Sequence, residues 1–216
     1  MQSAMCIDKV TITDLGLTDY RDVWQIQKQR RQDVAHGEKS EIIFLTQHRP
    51  VYTLGRHGHK DNLLMLPKGV ECVEIERGGD ITCHEPGQIV VYPIINLWAR
   101  KLGVKDYVHL LEQWVIDTIS DFGINGERDP DAPGVWIEPG SNRSRKICAL
   151  GVAVSRGVTM HGFALNAVNE LNLFRNINPC GFIDRGVTSI ARETTTDVSF
   201  DTITESIKRH NPFELL

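Results

Sequence analysis

Much of what this 216-residue sequence lacks is informative. No CxxC or CxxxC pair occurs, which removes the usual ligand spacing of a structural zinc site. Lysine and arginine total 24 against 28 aspartates and glutamates, net −4, with no basic block long enough to track a phosphate backbone. No nucleic-acid partner is expected. The most apolar stretch, Ile89 to Ala99, is broken by Pro93 and Asn96 and falls far short of the roughly 20 residues of a membrane-spanning helix, so no membrane partner is expected either. The opening MQSAMCIDKV has no basic region followed by an apolar core, and no secretory signal is expected. Repeats, low-complexity tracts and Pro/Ser-rich linkers are missing, which predicts a single domain over residues 1–216. Neither a GxxxxGK[ST] phosphate loop nor a GxSxG nucleophile elbow is present.

Cysteine is sparse and irregular, at positions 6, 72, 83, 148 and 180, an odd number unlike a secreted disulfide framework. These read as reduced thiols, and a cytoplasmic location is expected. Hydrophobic residues make up 41% of the chain and charged residues 24%, enough to bury a core without disulfide or metal staples.

Periodicity supplies the elements. Val10 to Ile12 reads as a strand, followed from an N-cap at Thr18 by a helix using Tyr20, Val23, Trp24 and Val34 and stopped by Gly37. Glu41 to Thr46 reads as a buried strand entering a loop, QHRPVYTLGRHGHK. Glu71 to Glu76 alternates as a half-buried strand, and Gln88 to Asn96 reads as a strand interrupted by proline. The clearest helix runs from about Val104 to Phe122, with Tyr107, Leu110, Leu111, Trp114, Val115, Thr118, Ile119 and Phe122 on one face before Gly123. Lys146 to Val154 and Val158 to Leu165 form a hairpin about Ser155, Arg156 and Gly157, and a last helix covers roughly Phe200 to His210. Strands in two runs with helices between and after predict an α+β fold, a mixed sheet flanked by helices.

Three segments offer chemistry. RGGDITCHEPG, residues 77–87, places paired glycines between strands, so it is either a plain Gly-rich turn or a point where backbone approaches a ligand. KICALGVAVSRGVTMHGFALN, residues 146–166, opens with a lysine that either reaches solvent or points into a cleft with a partner. INPCG, residues 177–181, holds Cys180 in a loop, where a thiol is a better nucleophile candidate than one in a packed strand such as Cys148, or a small buried hydrophobe. His57 and His59 make an isolated HxH, which reads as a polar loop more readily than a metal site.

HRPVYTLGR (His48 to Arg56), RGGDITCHEPGQ, KICALGV, HGFALN and NPCG, in this order, resemble the lipoyl(octanoyl) transferase family, the octanoyl-acyl-carrier-protein:protein N-octanoyltransferases. The resemblance covers most of the chain. It implies a fold similar to the catalytic domain of biotin and lipoate protein ligases. It also implies that Cys180 forms an acyl-thioester intermediate and that Lys146 lowers the pKa of its thiol. The implied acyl pocket comprises Arg77, Gly78, Gly79, Asp80, Ile81, Thr82, Cys83 and His84, then Ala149, Leu150 and Gly151, then Gly162, Phe163 and Ala164. Glycines 78, 79, 151 and 162 fit such a pocket if each missing Cβ widens an apolar tunnel.

The donor implied is octanoyl-acyl carrier protein. The acceptors implied are lipoyl domains of 2-oxoacid dehydrogenase acyltransferase subunits and the glycine cleavage H protein. No ATP, metal or other cofactor is expected. A base for the acceptor amine is required, for which neutral Lys146 or a water held by His84 or His161 are the candidates. Arg143, Arg145 and Arg156 are the basic residues expected to face an acidic donor.

The family usually reads RGGQxTYHGPGQ, and this chain departs from it at Asp80, Cys83 and Glu85. Glu85 either faces solvent or alters the donor-docking surface. Alternatives remain: an ATP-dependent lipoate or biotin ligase, which needs no nucleophilic thiol; a non-catalytic binder of acyl chains or lipoyl domains; and a cysteine hydrolase pairing Cys180 with His84 or His161.

Overall fold

The structure, a computed structural model, describes residues 10–178 and 185–214. The chain runs β1 (Thr11–Thr18), α1 (Tyr20–Ala35), β2 (Ile42–His48), β3 (Val51–Leu54), β4 (Glu71–Glu74), β5 (Ile81–His84) and β6 (Gln88–Ile94). It continues with α2 (Val104–Ser120), β7 (Glu127–Arg128), β8 (Gly134–Ile137), β9 (Arg145–Ser155), β10 (Val158–Asn166), β11 (Gly186–Val187), α3 (Ile190–Glu193) and α4 (Phe200–Arg209).

The larger sheet has the order β1-β2-β6-β10-β9-β8-β7, with β11 also paired to β9. Its β1–β2 and β11–β9 pairs are parallel and the others antiparallel, so the sheet is mixed as the sequence predicts. Side chains alternate across it. On one face Ile43, Leu45, Ile89, Val91, Phe163 and Leu165 pack with Tyr107, Leu111, Trp114, Val115 and Ile119 of α2 and Ile203 and Ile207 of α4. On the other, Ile42, Phe44, Val90, Tyr92, Met160 and Ala164 pack with Val23 and Val34 of α1. This double burial explains why β2, β6 and β10 read as near-continuous apolar runs. The β9–β10 hairpin turns on Arg156 (φ 51°) and Gly157 (φ 78°), the paired left-handed residues of a two-residue primed turn.

A second sheet, β4-β3-β5, is separate and small. Tyr52, Leu54, Ile81 and Cys83 pack beneath it with Leu171, Phe174 and Ile177. Here the structure corrects the sequence reading, because the expected loop after β2 contains β3 and the expected turn at 77–87 contains β5. Each is four residues long and buried throughout, so neither shows the alternation that marks a half-buried strand. Likewise β1 extends to Thr18, and Asp19 rather than Thr18 caps α1. Pro93 lies inside β6, where the β6–β10 ladder stops at Val91 and the Thr159 hydroxyl bridges instead, donating to the Pro93 carbonyl at 2.7 Å and accepting from Ile95 N–H at 2.9 Å. No helix among the described residues is long and apolar enough to cross a membrane.

Candidate active site

A cavity of about 240 Å³ opens where the small sheet faces β9 and β10. Its wall includes Arg77, Gly78, Gly79, Asp80, Ile81, Thr82 and His84 from one side, and Lys146, Ala149, Leu150, Gly151, Gly162, Phe163 and Ala164 from the other. Three segments far apart in sequence therefore converge on one space. Cys83 is the exception among the expected pocket residues. It points away from Thr82 and His84, on the face of β5 that it shares with Ile81, lies deeper in the apolar cluster under the small sheet, and burial pushes its thiol pKa well up.

Cys180 lies outside the described residues. The residues on either side of that stretch are anchored: Ile177 bridges to Leu63, Asn178 N–H donates to the Asn62 carbonyl at 2.8 Å, and Arg185 lines the cavity before β11 pairs with β9. That pairing sets Val187 beside Lys146.

Lys146 is 8% exposed. It sits at the start of β9, between β8 on one side and β11 on the other. Its ammonium donates to the Pro133 carbonyl at 3.2 Å and lies 4.5 Å from the centroid of the Trp136 ring. Arg185 reaches the same ring at 5.1 Å and is held by Asp129 at 2.5 Å. The indole and a carbonyl thus steady two cations at one end of the cavity. Cys148, two residues on, is buried in β9, and that burial raises its thiol pKa despite Lys146.

Arg77 ties the RGG segment to β3. Its guanidinium donates to the Thr53 carbonyl at 2.7 Å, the Thr53 hydroxyl at 3.0 Å and the Gly78 carbonyl at 3.0 Å. Asp80 turns the segment into β5, accepting from the N–H groups of Ile81 at 2.7 Å and His59 at 3.2 Å and from the Asn62 amide at 2.5 Å. Glu85 does not face solvent. It is buried, and its Oε1 accepts from the Asn169 amide at 2.9 Å and from Leu171 N–H at 2.8 Å, fixing a leucine at φ 66°.

The tunnel explanation of the glycines also needs correction. A Cβ on Gly162 would stand 2.2 Å from the Val91 carbonyl oxygen, and one on Gly151 would stand 2.8 Å from that of Gly78. These two glycines let backbones pack together, whereas a Cβ on Gly78 would make only an ordinary contact, 3.7 Å from the Val152 carbonyl oxygen.

Buried aromatic and imidazole rings back the cavity. His84 stacks on Tyr20 at 5.7 Å and meets His48 edge-on at 5.5 Å. His48 bonds Tyr92 Oη at 2.8 Å, and desolvation brings its pKa down to about 4. Desolvation also lowers the pKa of His84 and His161, Arg77 adding to it in both. Glu76 stands 3.6 Å from His161 and accepts from Trp24 Nε1 at 2.9 Å; these partners outweigh the upward pull of desolvation and hold it at about 2. Sequence reading missed Tyr20, Trp136, Asn166 and Arg185 as cavity residues, and no local pattern marks them. Arg143 and Arg145, expected to face a donor, bind Glu138 and Glu193, and Arg156 stands 3.2 Å from His36. Among the described residues no three His, Cys, Asp or Glu gather as a metal site.

Comparison with known proteins adds to this geometry. The family model of the lipoyl protein ligase A/B catalytic domain matches residues 19–211. An octanoyltransferase of Bacteroides thetaiotaomicron is 43% identical over 93% of this chain and 92% of its own length. One from Geobacter metallireducens is 40% identical over 94% and 92%. One from Porphyromonas gingivalis is 43% identical over 90% of this chain, which spans only 42% of that relative. Among solved structures, a putative lipoate protein ligase from Thermoplasma acidophilum aligns with a TM-score of 0.68 at 13% identity, over 94% of this chain and 83% of that one. Lipoate-protein ligase A bound with ATP gives 0.66 at 14% identity, over 96% and 86%. At such identity the likeness shows the fold.

Proposed function

The chain belongs to the lipoyl protein ligase A/B catalytic-domain family, and on that premise we propose that it is an octanoyltransferase working through Cys180. It takes an octanoyl group from octanoyl-acyl carrier protein and delivers it to a lysine of a lipoyl domain. The observation that carries the reading is Lys146, an ammonium in the wall of a largely apolar cavity, beside Arg185 and Val187, which follow the Cys180 stretch.

An unperturbed cysteine titrates near 8.5, so only a few per cent is thiolate at neutral pH, and a nearby ammonium raises that fraction. In this reading the Cys180 thiolate attacks the donor thioester. The carrier thiol leaves and an octanoyl-enzyme forms. The neutral ε-amine of the acceptor then attacks the new thioester, the C–N bond forms, the C–S bond breaks, and an amide and the free Cys180 thiol result. Two displacements replace one. The first exchanges like for like and the second runs to the more stable amide, so the reaction calls for no ATP, and none of its steps calls for a metal. Water exclusion by the cavity favours transfer over hydrolysis. The reduced state that Cys180 requires agrees with Cys72, Cys83 and Cys148 being free thiols, and a cytoplasmic setting follows from the same reading.

Intact-protein mass spectrometry tests it. Purified protein mixed with octanoyl-acyl carrier protein, without ATP, gains one labile octanoyl group that an apo lipoyl domain discharges. The Cys180→Ser variant gains none, and Lys146→Ala gains it on the order of 10²-fold more slowly. An adduct formed only with ATP and free octanoate assigns the ligase reaction instead. Free octanoate released in place of lipoyl-domain octanoylation assigns a hydrolase. No adduct under either condition, with binding retained, assigns an acyl or lipoyl-domain binder.

A further inference from the structure

Leu64, Met65 and Leu66 stand exposed in succession, at 58, 59 and 49%, the only such run of large apolar side chains among the described residues. An apolar run left in water and rimmed by polar groups marks an interaction surface, which a lone exposed leucine does not.

The run is held in place. Leu63 before it and Val70 after it turn inward and pack on the apolar cluster under the small sheet. Leu63 also bridges to Ile177, and the N–H groups of Leu64 and Met65 donate to the Asn176 carbonyl at 2.8 and 3.3 Å. Just upstream, His59 N–H and the Asn62 amide both donate to the Asp80 carboxylate. Asp80 lines the cavity, and so does Phe174, two residues before Asn176. The exposed run is therefore moored to two segments of the cavity wall.

Charge near the run is the reverse of that of the molecule. The whole chain is net −4, yet residues 55–69, GRHGHKDNLLMLPKG, carry Arg56, Lys60 and Lys68 against the single Asp61. Lys60 is paired with Glu74 at 2.7 Å. Arg56, Lys68 and Arg175, the last next to Asn176, are exposed and have no ion-pair partner among the described residues. The arginines expected from sequence to meet an acidic donor are already engaged, Arg143 and Arg145 with Glu138 and Glu193, and Arg156 beside His36.

We propose that Leu64, Met65 and Leu66, with Arg56, Lys68 and Arg175 on the segments that carry and anchor them, form the surface on which the acyl carrier protein docks. This rests on the octanoyltransferase reading above, which names the donor. Of the two protein substrates in that reading the donor is the one expected to be acidic, and its carboxylates would meet the three cations while an apolar side chain covers the run. The cations steer and orient the encounter, and the apolar contact sets how long it lasts.

Equilibrium titration with unacylated acyl carrier protein reads docking apart from chemistry. Met65→Glu is expected to weaken it about 10- to 30-fold. The double variant Arg56→Glu, Lys68→Glu is expected to weaken it by a similar factor at low salt, and by less as salt is raised. Trp98→Glu, which charges an equally exposed apolar residue beside the β9–β10 turn, is expected to change nothing. In turnover, both surface variants are expected to raise the KM for octanoyl-acyl carrier protein and to leave kcat and the KM for apo lipoyl domain as they were. Donor affinity unchanged in both variants overturns the inference. So does a KM raised for the lipoyl domain alone, which assigns the surface to the acceptor, or a wild-type dimer that Met65→Glu dissociates with donor binding unaffected, which assigns it to a second copy of the chain. The octanoyl adduct is scored separately: docking that depends on Met65 in a wild type that gains no adduct overturns the transferase reading and leaves the surface assigned, and an adduct without such docking does the reverse.

Discussion

The two sheets are held together by different forces. The larger is closed on both faces by hydrocarbon: Trp114 alone meets Phe163 edge-on at 5.4 Å and Phe213 at 6.1 Å. The smaller has a modest apolar cluster and is fastened by charged side chains within nine residues of sequence. Arg77 binds Thr53 and Gly78, Asp80 binds His59, Asn62 and Ile81, and Glu85 binds Asn169 and Leu171. Apolar contact stabilises without fixing direction, whereas a guanidinium or carboxylate with several partners fixes where a loop stands. Stability and the shape of the cavity are therefore lodged in different parts of the molecule.

Truncation should pull these two properties apart. Trp114→Ala removes the largest side chain of the main core and its 2.8 Å hydrogen bond to the Ile207 carbonyl, at a cost of about 3–5 kcal/mol. Urea unfolding should show that loss, with transfer per folded molecule little changed; a larger fall in transfer would break the division between sheets. Arg77→Met should behave in the opposite sense. It leaves two carbonyls and a hydroxyl without their donor, about 1–3 kcal/mol, yet releases the RGG segment and should slow octanoyl transfer on the order of 10²-fold.

The same division decided what could be read from sequence. The α2 face was legible because Tyr107, Leu111, Trp114, Val115 and Ile119 repeat with the helical period and pack on one surface. The β9–β10 hairpin was legible because Arg156 and Gly157 carry the turn chemistry it uses. β3 and β5 were hidden because four buried residues in a row carry no period. In the site, the converging segments were legible through motifs, but the backing residues were not. Tyr20 and Tyr92 reach the cavity from α1 and β6, and only the fold brings them there. Glu85 was misread because nothing local shows that Asn169 and Leu171, more than eighty residues on, would bury it.

Glu85 sharpens the comparison from the side of the small sheet. Glu85→Ala strips the acceptor from Leu171 N–H and the Asn169 amide, both buried, and should cost about 1–3 kcal/mol in urea unfolding. Glu85→Gln retains an acceptor oxygen at the same place and should recover most of that loss. If the glutamine and alanine variants are equally unstable, charge rather than the two hydrogen bonds holds the 169–171 segment.

A last comparison separates the sheets by titration. His48, in β2 of the larger sheet, has its pKa lowered from an unfolded value of 6.5 to about 4, chiefly by desolvation. Between those values the unfolded chain binds the proton and the folded one does not, so stability falls as pH drops from 6.5 to about 4 and levels off below. Glu76, just beyond β4 of the smaller sheet, is held at about 2 against an unfolded 4.5. Its contribution is complete above 4.5 and is lost as pH falls through about 2, again because the unfolded state binds the proton first. The windows adjoin with little overlap. His48→Gln should flatten the stability curve between pH 6.5 and 4 and leave the lower limb, while Glu76→Gln should flatten the limb below 4.5 and leave the upper one. His84 and His161 titrate in the same direction as His48, so the difference between wild type and each variant, rather than the curve itself, carries the test. A Glu76→Gln variant that also lost the upper window would show the two sheets coupled through His161, which faces Glu76 from β10 at 3.6 Å.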